Sequence, residues 1–286
     1  MIMFDKVVNA ALKNQPKLMQ LRSVVEKEIL HHDILLAMRN AKLLTQLTFI
    51  GGTCLRACYG GVRLSEDLDF TGGLNFNRES LIDLGRVITS TLKNKYELNV
   101  QVSEPKKDTD LVDTWKIRIE TRGASKHLPA QRINIDICAL KSYDISPQMI
   151  LNPYGVDFGT SGLVVNAQSL EEIYTDKLIA FALRPNRIKY RDIWDIGWCH
   201  SKNIIPTIDL IPLKIKDRKI DLTFFLEEYK HRVDAMGNDE KLIQEFKTEM
   251  RRFLTPEYTR DETRLEDLWN FTSHLLKNFY QQMFVL

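Results

Sequence analysis

The chain has 286 residues, 44% hydrophobic and 27% charged, which is long enough for one large or two modest globular domains. Its formal net charge of +2 excludes a strongly basic composition of the kind that binds nucleic acid everywhere, so any basic surface must be local. Four cysteines without regular metal spacing, no apolar leader and no apolar run near ~20 residues favour a cytoplasmic protein with reduced thiols and no membrane span.

Residues 5–40 carry apolar side chains at helical spacing, which predicts helices. His31 and His32 lie side by side within this stretch. Adjacent residues on a helix do not share a face, so we interpret both as surface or capping histidines rather than as metal ligands.

A glycine pair follows the next apolar run, from Leu43 to Ile50. Gly51 and Gly52 end the run, and Thr53 begins a short helical pattern, so we predict a strand, a tight turn and a helix start. Glycine has no Cβ, so the backbone N–H groups of such a turn can approach a polyphosphate closely. A Gly-Gly pair is also common in ordinary turns, and the pair alone does not decide between these readings.

Two acidic residues come shortly after the glycine pair. Asp67 and Asp69 flank Leu68 in a run that ends at Phe70, and the alternation predicts a second strand. Residues two apart on a strand point to the same face, and paired carboxylates near a phosphate-binding turn suit Mg²⁺, which prefers oxygen ligands and nucleotide phosphates. A solvated strand edge is the alternative for an isolated Asp-X-Asp.

Two arginines lie between the glycine pair and the acidic pair. The guanidinium groups of Arg56 and Arg63 either meet phosphate or form salt bridges to Glu66 or Asp67, and the sequence leaves both open.

The order of these residues resembles the first motif of the AbiEii/AbiGii toxin family. These are nucleotidyltransferase-like proteins of type IV toxin-antitoxin and phage-defence systems, and the MenT toxins belong with them. Family members often carry Gly-Ser where this chain has Gly-Thr. The resemblance implies a nucleotide site, and we predict that the nucleotide contacts Gly51, Gly52, Thr53, Arg56, Arg63 and Ser65.

Two alternating stretches, 98–102 and 114–121, predict antiparallel strands. The second carries Lys116, Arg118 and Arg122 on the face opposite its isoleucines. A solvated polar face explains this pattern, and a groove for an RNA backbone would use the same arrangement.

A further strand is predicted from Arg132 to Leu140, where three isoleucines alternate with polar residues that include Asp136. A carboxylate among isoleucines needs a partner or a metal. In nucleotidyltransferase folds a third carboxylate on a later strand completes the metal site, and Asp136 matches that place by order and context. The alternative is a salt bridge to Arg118 or Arg132.

The stretch 142–165 is rich in proline and glycine and is predicted to be loop-like, so we place a domain boundary there. We predict an α+β fold with two domains: a nucleotidyltransferase-like catalytic domain with a mixed β-sheet over 1–163, and a helical domain over 164–286. Ser169, followed three residues later by Glu172, predicts a helix N-terminus with a capping box.

The segment 169–196 resembles the later motifs of the same family, in which a helix lysine precedes an Arg-Asp-x-x-Asp-Leu-like run; Ile196 replaces the leucine. The resemblance implies that Lys177 contacts the nucleotide triphosphate and that Asp192 or Asp195 completes the catalytic set.

The residues of this segment have a second interpretation without the resemblance. Lys177 would be an exposed helix lysine, and Asp192 and Asp195 would pair with Arg187 or Arg191. Farther on, the basic clusters 214–219 and 251–252 would hold RNA or simply supply surface charge.

These features together predict a magnesium-dependent nucleotidyltransferase that transfers NMP from an NTP, with Mg²⁺ held by Asp67, Asp69 and Asp136. The acceptor's proton would pass to Asp136, Asp192 or Asp195. Resemblance to MenT-like toxins implies that the acceptor is the 3′ end of tRNA, that transfer blocks translation, and that an antitoxin acts without a stable complex. The alternatives are transfer to a protein or small molecule, and a non-catalytic module that binds RNA or a partner.

Overall fold

The computed structural model describes residues 3–105, 111–121, 130–185 and 187–283. The chain divides into two compact units, Met1–Gln168 and Ser169–Leu286. None of the helices described is both long and apolar enough to cross a bilayer. Arg122, which the sequence places with Lys116 and Arg118, lies outside the described residues.

The first unit is a seven-stranded mixed sheet with helices, which confirms the predicted α+β fold. Its sheet order is β3-β4-β5-β2-β1-β7-β6, and the β2–β5 and β1–β7 pairs are parallel. The strands are β1 Thr48–Ile50, β2 Leu68–Thr71, β3 Asn99–Ser103, β4 Val112–Glu120, β5 Gln131–Cys138, β6 Ile145–Met149 and β7 Val164–Gln168. The helices are α1 Met3–Asn14, α2 Arg22–Asn40, α3 Gly51–Tyr59 and α4 Leu84–Tyr96.

The sheet has two chemically different faces along β4 and β5. Trp115, Ile117 and Ile119 of β4 and the three isoleucines of β5 are buried, and helices α2 and α4 pack on β5 and β3 respectively. The alternate residues point the other way, and there Lys116 and Arg132 are exposed. We call this second side of strands β2 to β5 the open face. The alternation predicted from the sequence therefore separates a core side from a polar side.

The segment 142–165 is not simply a loop, and this part of the prediction is wrong. It contains β6 and the start of β7, which pair with each other in antiparallel register. Pro147 lies within β6, the last strand of the sheet, where a missing N–H is tolerated because no neighbour needs it. Because β7 pairs with β1, the division between the units falls after Gln168 rather than after residue 163.

His31 and His32 are buried on α2, so their interpretation as surface or capping residues is wrong. His31 Nε2 lies 3.0 Å from the Glu66 carbonyl oxygen, and His32 Nδ1 lies 2.9 Å from Thr160 Oγ1. Burial lowers the pKa of both imidazoles, that of His32 to about 3, so both are neutral at pH 7. They belong to the packing of α2.

The second unit is helical. Its first helix begins as predicted, since the Glu172 N–H donates to Ser169 Oγ over 3.2 Å. The core forms around Trp269, which is fully buried and lies against Tyr190 and Phe246. The helices are α5 Leu170–Leu183, α6 Tyr190–Ser201, α7 Ile211–Asp217, α8 Leu222–Asn238, α9 Glu240–Met250, α10 Pro256–Thr259 and α11 Glu262–Met283.

Candidate functional site

The glycine turn joins β1 to α3, as the sequence predicts. Gly51 has φ +76°, a left-handed conformation that residues with a Cβ rarely adopt. A Cβ on Gly51 would lie 2.7 Å from Asp69 Oδ2, and a Cβ on Gly52 would lie 2.3 Å from Arg63 Nη2. The absence of two side chains therefore lets a carboxylate and a guanidinium pack directly against the turn.

Three carboxylates come together on the open face. Asp69 and Asp136 are register partners on the parallel strands β2 and β5, and neighbouring strands lie about 4.8 Å apart, so their side chains project from the same side of the sheet. Asp67 precedes β2, and its Oδ1 accepts a hydrogen bond of 3.0 Å from the Asn134 N–H of β5. All three are half-buried. We call Asp67, Asp69 and Asp136 the acidic cluster.

The hydroxyl groups predicted to meet the nucleotide face the protein interior instead. The Thr53 hydroxyl donates to the Asp67 carbonyl oxygen and lies 2.7 Å from Ser65 Oγ, and both side chains are buried. These bonds tie the start of α3 to the segment that carries Asp67. A phosphate at this turn would therefore meet backbone N–H groups rather than the Thr53 hydroxyl.

Arg56 has a partner that the sequence did not predict. Its Nε lies 3.2 Å from the Glu28 carboxylate of α2, and its Nη1 donates to the Gly61 carbonyl oxygen over 3.0 Å. The expected partner Glu66 pairs with Lys27 instead, at 2.7 Å. Glu28 also accepts a hydrogen bond of 3.0 Å from the Ser65 N–H. Arg56 and Glu28 therefore connect α2 to α3 and to the segment that follows it. The sequence offered one signal for this pairing, because Glu28 stands among the apolar residues of the helical pattern that became α2.

Arg63 lies against the turn itself. Its side chain is buried, its Nη1 donates to the Leu64 carbonyl oxygen over 2.9 Å, and its Nη2 borders Gly52. Among the two predicted arginines, Arg63 is the one that brings positive charge next to the glycine pair.

The second unit contains Lys177, the lysine predicted to contact the nucleotide triphosphate, and the two aspartates predicted to complete the catalytic set. Lys177 on α5 is buried, and its Nζ lies 2.6 Å from Asp192 Oδ1 and 2.8 Å from Asp195 Oδ2 of α6. Arg184 Nε lies 3.1 Å from the second oxygen of Asp192. We call these four residues the Lys177 cluster. The interpretation of Lys177 as an exposed helix lysine is wrong, and the two aspartates have Lys177 as their shared partner.

The charges of this cluster shape its protonation. Burial alone would raise the pKa of Asp192, but Lys177, Arg184 and Lys189 outweigh it and hold that pKa below its usual range. Burial, together with the nearby Arg184, lowers the pKa of Lys189 to about 8. Asp192 is therefore a stable carboxylate at neutral pH, surrounded by cations.

Three cations in the basic clusters of the second unit form ion pairs within it. Lys214 is buried between Glu172, at 2.5 Å, and Asp176, at 3.0 Å, and Arg218 lies 3.3 Å from Asp176. Arg251 is paired with a glutamate of α11. Lys216, Lys219 and Arg252 of the same clusters are exposed, so the RNA interpretation of the two clusters stays open.

A sequence model of one family, described as the nucleotidyl transferase AbiEii toxin of type IV toxin-antitoxin systems, matches residues 33–273. The chain belongs to this family. The match spans both the acidic cluster and the Lys177 cluster, as the resemblance in the two motifs predicted. No protein among the curated sequences matches the chain.

Two solved structures from Helicobacter pylori are similar to this family member. JHP933 has a TM-score of 0.49 and 18% identity, covering 91% of this chain and 94% of that chain. A protein described as a "putative nucleotidyltransferase" has a TM-score of 0.50 and 17% identity, covering 91% of this chain and 97% of that chain. At this identity the second likeness shows a shared fold alone.

The acidic cluster fits the divalent metal that nucleotidyltransferases generally use. Within the described residues, no group of three or more His, Cys, Asp or Glu side chains is arranged to enclose a metal ion. Mg²⁺ is usually held by one or two carboxylates together with substrate phosphates rather than by an all-protein cage. The in-register pair Asp69 and Asp136 supplies oxygen donors of that kind and number.

Proposed function

We propose that the protein is a magnesium-dependent nucleotidyltransferase that transfers NMP from an NTP to an RNA acceptor. The observation that carries the proposal is the pairing of Asp69 with Asp136 beside the Gly51 turn. Like charges on neighbouring strands repel each other, and a cation bound between them would relieve that repulsion. A cation and a polyphosphate are the ligands that such a site would accept.

Asp69 and Asp136, with Asp67 beside them, would hold the metal. When bound, Mg²⁺ neutralises charge on the phosphates as pyrophosphate leaves. Asp67 has one oxygen engaged by the Asn134 N–H, which fixes its orientation and leaves the other oxygen for a ligand.

The glycine turn would receive the phosphates. The first N–H groups of α3 have no partner within the helix, and the helix dipole adds partial positive charge there. Gly51 and Gly52 add no side chain at that point, and the Arg63 guanidinium, which packs against Gly52, supplies positive charge beside the turn. This arrangement would orient the triphosphate for attack.

The chemical step joins the acceptor hydroxyl oxygen to the α-phosphorus and breaks the bond to the pyrophosphate oxygen. The hydroxyl proton passes to a carboxylate. Asp192 is a poor base, because its neighbouring cations keep its pKa low. Asp195 is bound to Lys177 at 2.8 Å. The half-buried Asp136 is therefore our preferred proton acceptor.

Lys177 is proposed as a phosphate ligand on the family resemblance. Its ammonium group is buried and already bound to two carboxylates. In this position Asp192 and Asp195 would act through Lys177, by fixing the place of its charge. Arg184 contributes further positive charge at a partly exposed position.

The acceptor that we propose is the 3′ end of tRNA, in the cytoplasm. Added nucleotides there would prevent aminoacylation, block translation and arrest growth, which is the behaviour expected of a toxin in toxin-antitoxin or phage-defence systems. Its antitoxin would act without a stable complex.

Labelled nucleotides test the proposal. The purified protein is incubated with each α-labelled NTP, Mg²⁺ and total cellular RNA, beside Asp67→Ala and Asp69→Ala variants. Label on a tRNA-sized band with the intact protein alone supports the reaction and the acceptor class. Label on protein or small molecules instead would overturn the RNA acceptor. If no label is transferred and no NTP binds, the enzymatic assignment is overturned and a non-catalytic module is the remaining alternative.

A further inference from the structure

The open face carries a second set of like charges, of the opposite sign to the acidic cluster. Arg118 of β4 and Arg132 of β5 are register partners in the antiparallel ladder. Residues directly opposite each other on such a pair have Cβ atoms about 5 Å apart, and like charges there are destabilising. The arrangement therefore calls for an anion.

Protein carboxylates satisfy this need only in part. Arg118 lies 2.7 Å from Glu120 of its own strand. Arg132, and Lys116 on the next row, are exposed and form no ion pair within the described residues. The basic clusters of the second unit, in contrast, contain Lys214, which is closed between two carboxylates. The open face thus keeps cations available to a ligand.

The sheet register fixes where these cations lie relative to the acidic cluster. Asp136, Asn134 and Arg132 alternate along β5, and Lys116 is the partner of Asn134. Four residues of strand separate Asp136 from Arg132, which is about 13 Å. That distance exceeds the Debye length of about 8 Å at physiological salt, so the two sets do not neutralise each other.

We propose that the open face binds the sugar-phosphate backbone of the RNA acceptor, with Lys116, Arg118 and Arg132 as phosphate contacts. The proposal rests on the proposed function, since the acceptor's terminal hydroxyl would lie at the acidic cluster. About 13 Å corresponds to about four nucleotides of a stacked strand, at 3.4 Å each.

The chemistry of the face favours a backbone over other ligands. The strand neighbours of these cations include polar side chains, Gln101 and Ser103 of β3 and Asn134 of β5. Trp115, Ile117 and Ile119 of β4 point to the core side and are buried, and Val112 at the start of the strand is exposed. A protein partner would need apolar anchors, and base recognition would use stacked aromatics. Binding here is therefore governed by phosphate charge and is independent of sequence.

The test compares a double variant on the open face, Lys116→Gln with Arg132→Gln, with a control that removes two cations elsewhere. The control is Lys13→Gln with Lys93→Gln. Both lysines are exposed and lie on helices, on α1 and α4 respectively, and their replacement changes the net charge by the same amount. Fluorescence anisotropy with bulk tRNA at several salt concentrations gives the affinity and its salt dependence. Calorimetry with a non-hydrolysable NTP checks the nucleotide site.

We expect the double variant on the open face to bind tRNA at least about tenfold more weakly, with a salt slope reduced by about 1.4, since each lost phosphate contact removes about 0.7 for a single strand. NTP affinity stays at the wild-type value, and the control pair binds RNA normally. Wild-type affinity and slope in the double variant, or an equal loss in the control, would overturn the proposal.

The same measurements separate this proposal from the proposed function. If wild-type protein labels RNA and the double variant does so with unchanged KM, the face is not the RNA site although the enzyme is established. If no RNA is labelled but tRNA binding depends on Lys116 and Arg132, the face binds RNA although the transferase assignment fails.

Discussion

The acidic cluster and the Lys177 cluster differ in how their charges are arranged. In the first unit, Asp69 and Asp136 place like charges on neighbouring strands at a half-buried face. In the second, Lys177 is buried between Asp192 and Asp195, with each carboxylate within 2.8 Å of the ammonium group. The first arrangement sets two like charges side by side. The second contains its own counter-charges.

The difference separates residues by what their loss should do. Removing one carboxylate from a repelling pair relieves repulsion, so stability survives while function fails. Removing the lysine from a buried group takes the shared partner from two carboxylates, of which Asp192 keeps Arg184, so stability falls whatever the functional role of the lysine. Loss of activity alone is therefore decisive for the acidic cluster, whereas for Lys177 it must be separated from unfolding.

The largest effect on stability is expected for Lys177→Met, at about 3–5 kcal/mol, because two buried carboxylates lose their partner. Lys214→Met is the matched control, since Lys214 is equally buried between Glu172 and Asp176 in the same unit. Urea unfolding should show similar losses in both. Only Lys177→Met should lose nucleotide transfer when both are assayed well below their melting temperatures. Equal transfer activity in the two variants would show that the Lys177 cluster has only a structural role.

Lys189→Met should stabilise the protein near neutral pH, by up to about 3 kcal/mol. The folded-state pKa of Lys189 is about 8 against 10.5 for the ordinary side chain, because burial and Arg184 disfavour its charge. Folding therefore opposes protonation fully below pH 8, and the penalty fades between pH 8 and 10.5. Stability curves of the variant and wild type should converge across that window. A constant difference from pH 7 to 10.5 would contradict this account.

Gly51→Ala should cost about 1–2 kcal/mol for the left-handed backbone and should also displace Asp69, whose Oδ2 would lie 2.7 Å from the new Cβ. Gly73→Ala is the control, since Gly73 has φ +82° and a Cβ added there would have nothing within 4 Å. The melting temperature should fall in both variants, and by more in Gly51→Ala because of the displaced Asp69. Transfer activity should fall only with Gly51→Ala, and an equal fall in both would remove the special role of this turn.

The smallest effect on stability is expected for Asp136→Asn. The free energy of unfolding should rise or stay within about 1 kcal/mol of wild type, because the substitution removes repulsion from Asp69. Chemical denaturation in metal-free buffer measures it. A loss as large as that of Lys177→Met would show that Asp136 is a structural ion-pair partner, the alternative that the sequence left open.

Local patterns predicted much of the fold. The glycine turn, the capping box at Ser169 and the period of two in β5 are encoded within a few residues, and each appears in the structure. The alternation around Asp136 placed it opposite the isoleucines. Its pairing with Asp69 could not be read from the chain, because parallel register joins residues far apart in sequence and depends on tertiary packing.

The errors arose where long-range partners decide burial. His31 and His32 look polar in a helical pattern, yet the Glu66 carbonyl and Thr160 provide buried partners for them. Without the family resemblance, the sequence around Lys177 is that of a surface lysine, because the two aspartates that pair with it lie on another helix, α6. Strands β6 and β7 were missed because prolines and glycines recur through that segment; Pro147 is tolerated because β6 is an edge strand.

The most direct test of the account is nucleotide transfer by Asp69→Asn and Asp136→Asn in single-turnover assays beside wild type, with folding checked by melting. We predict that the rate falls at least about a hundredfold in both variants, which is the usual effect of losing one group that stabilises transition-state charge. Their melting temperatures should stay close to that of wild type or rise. Wild-type rates in either folded variant would contradict the assignment of the acidic cluster as the reaction centre.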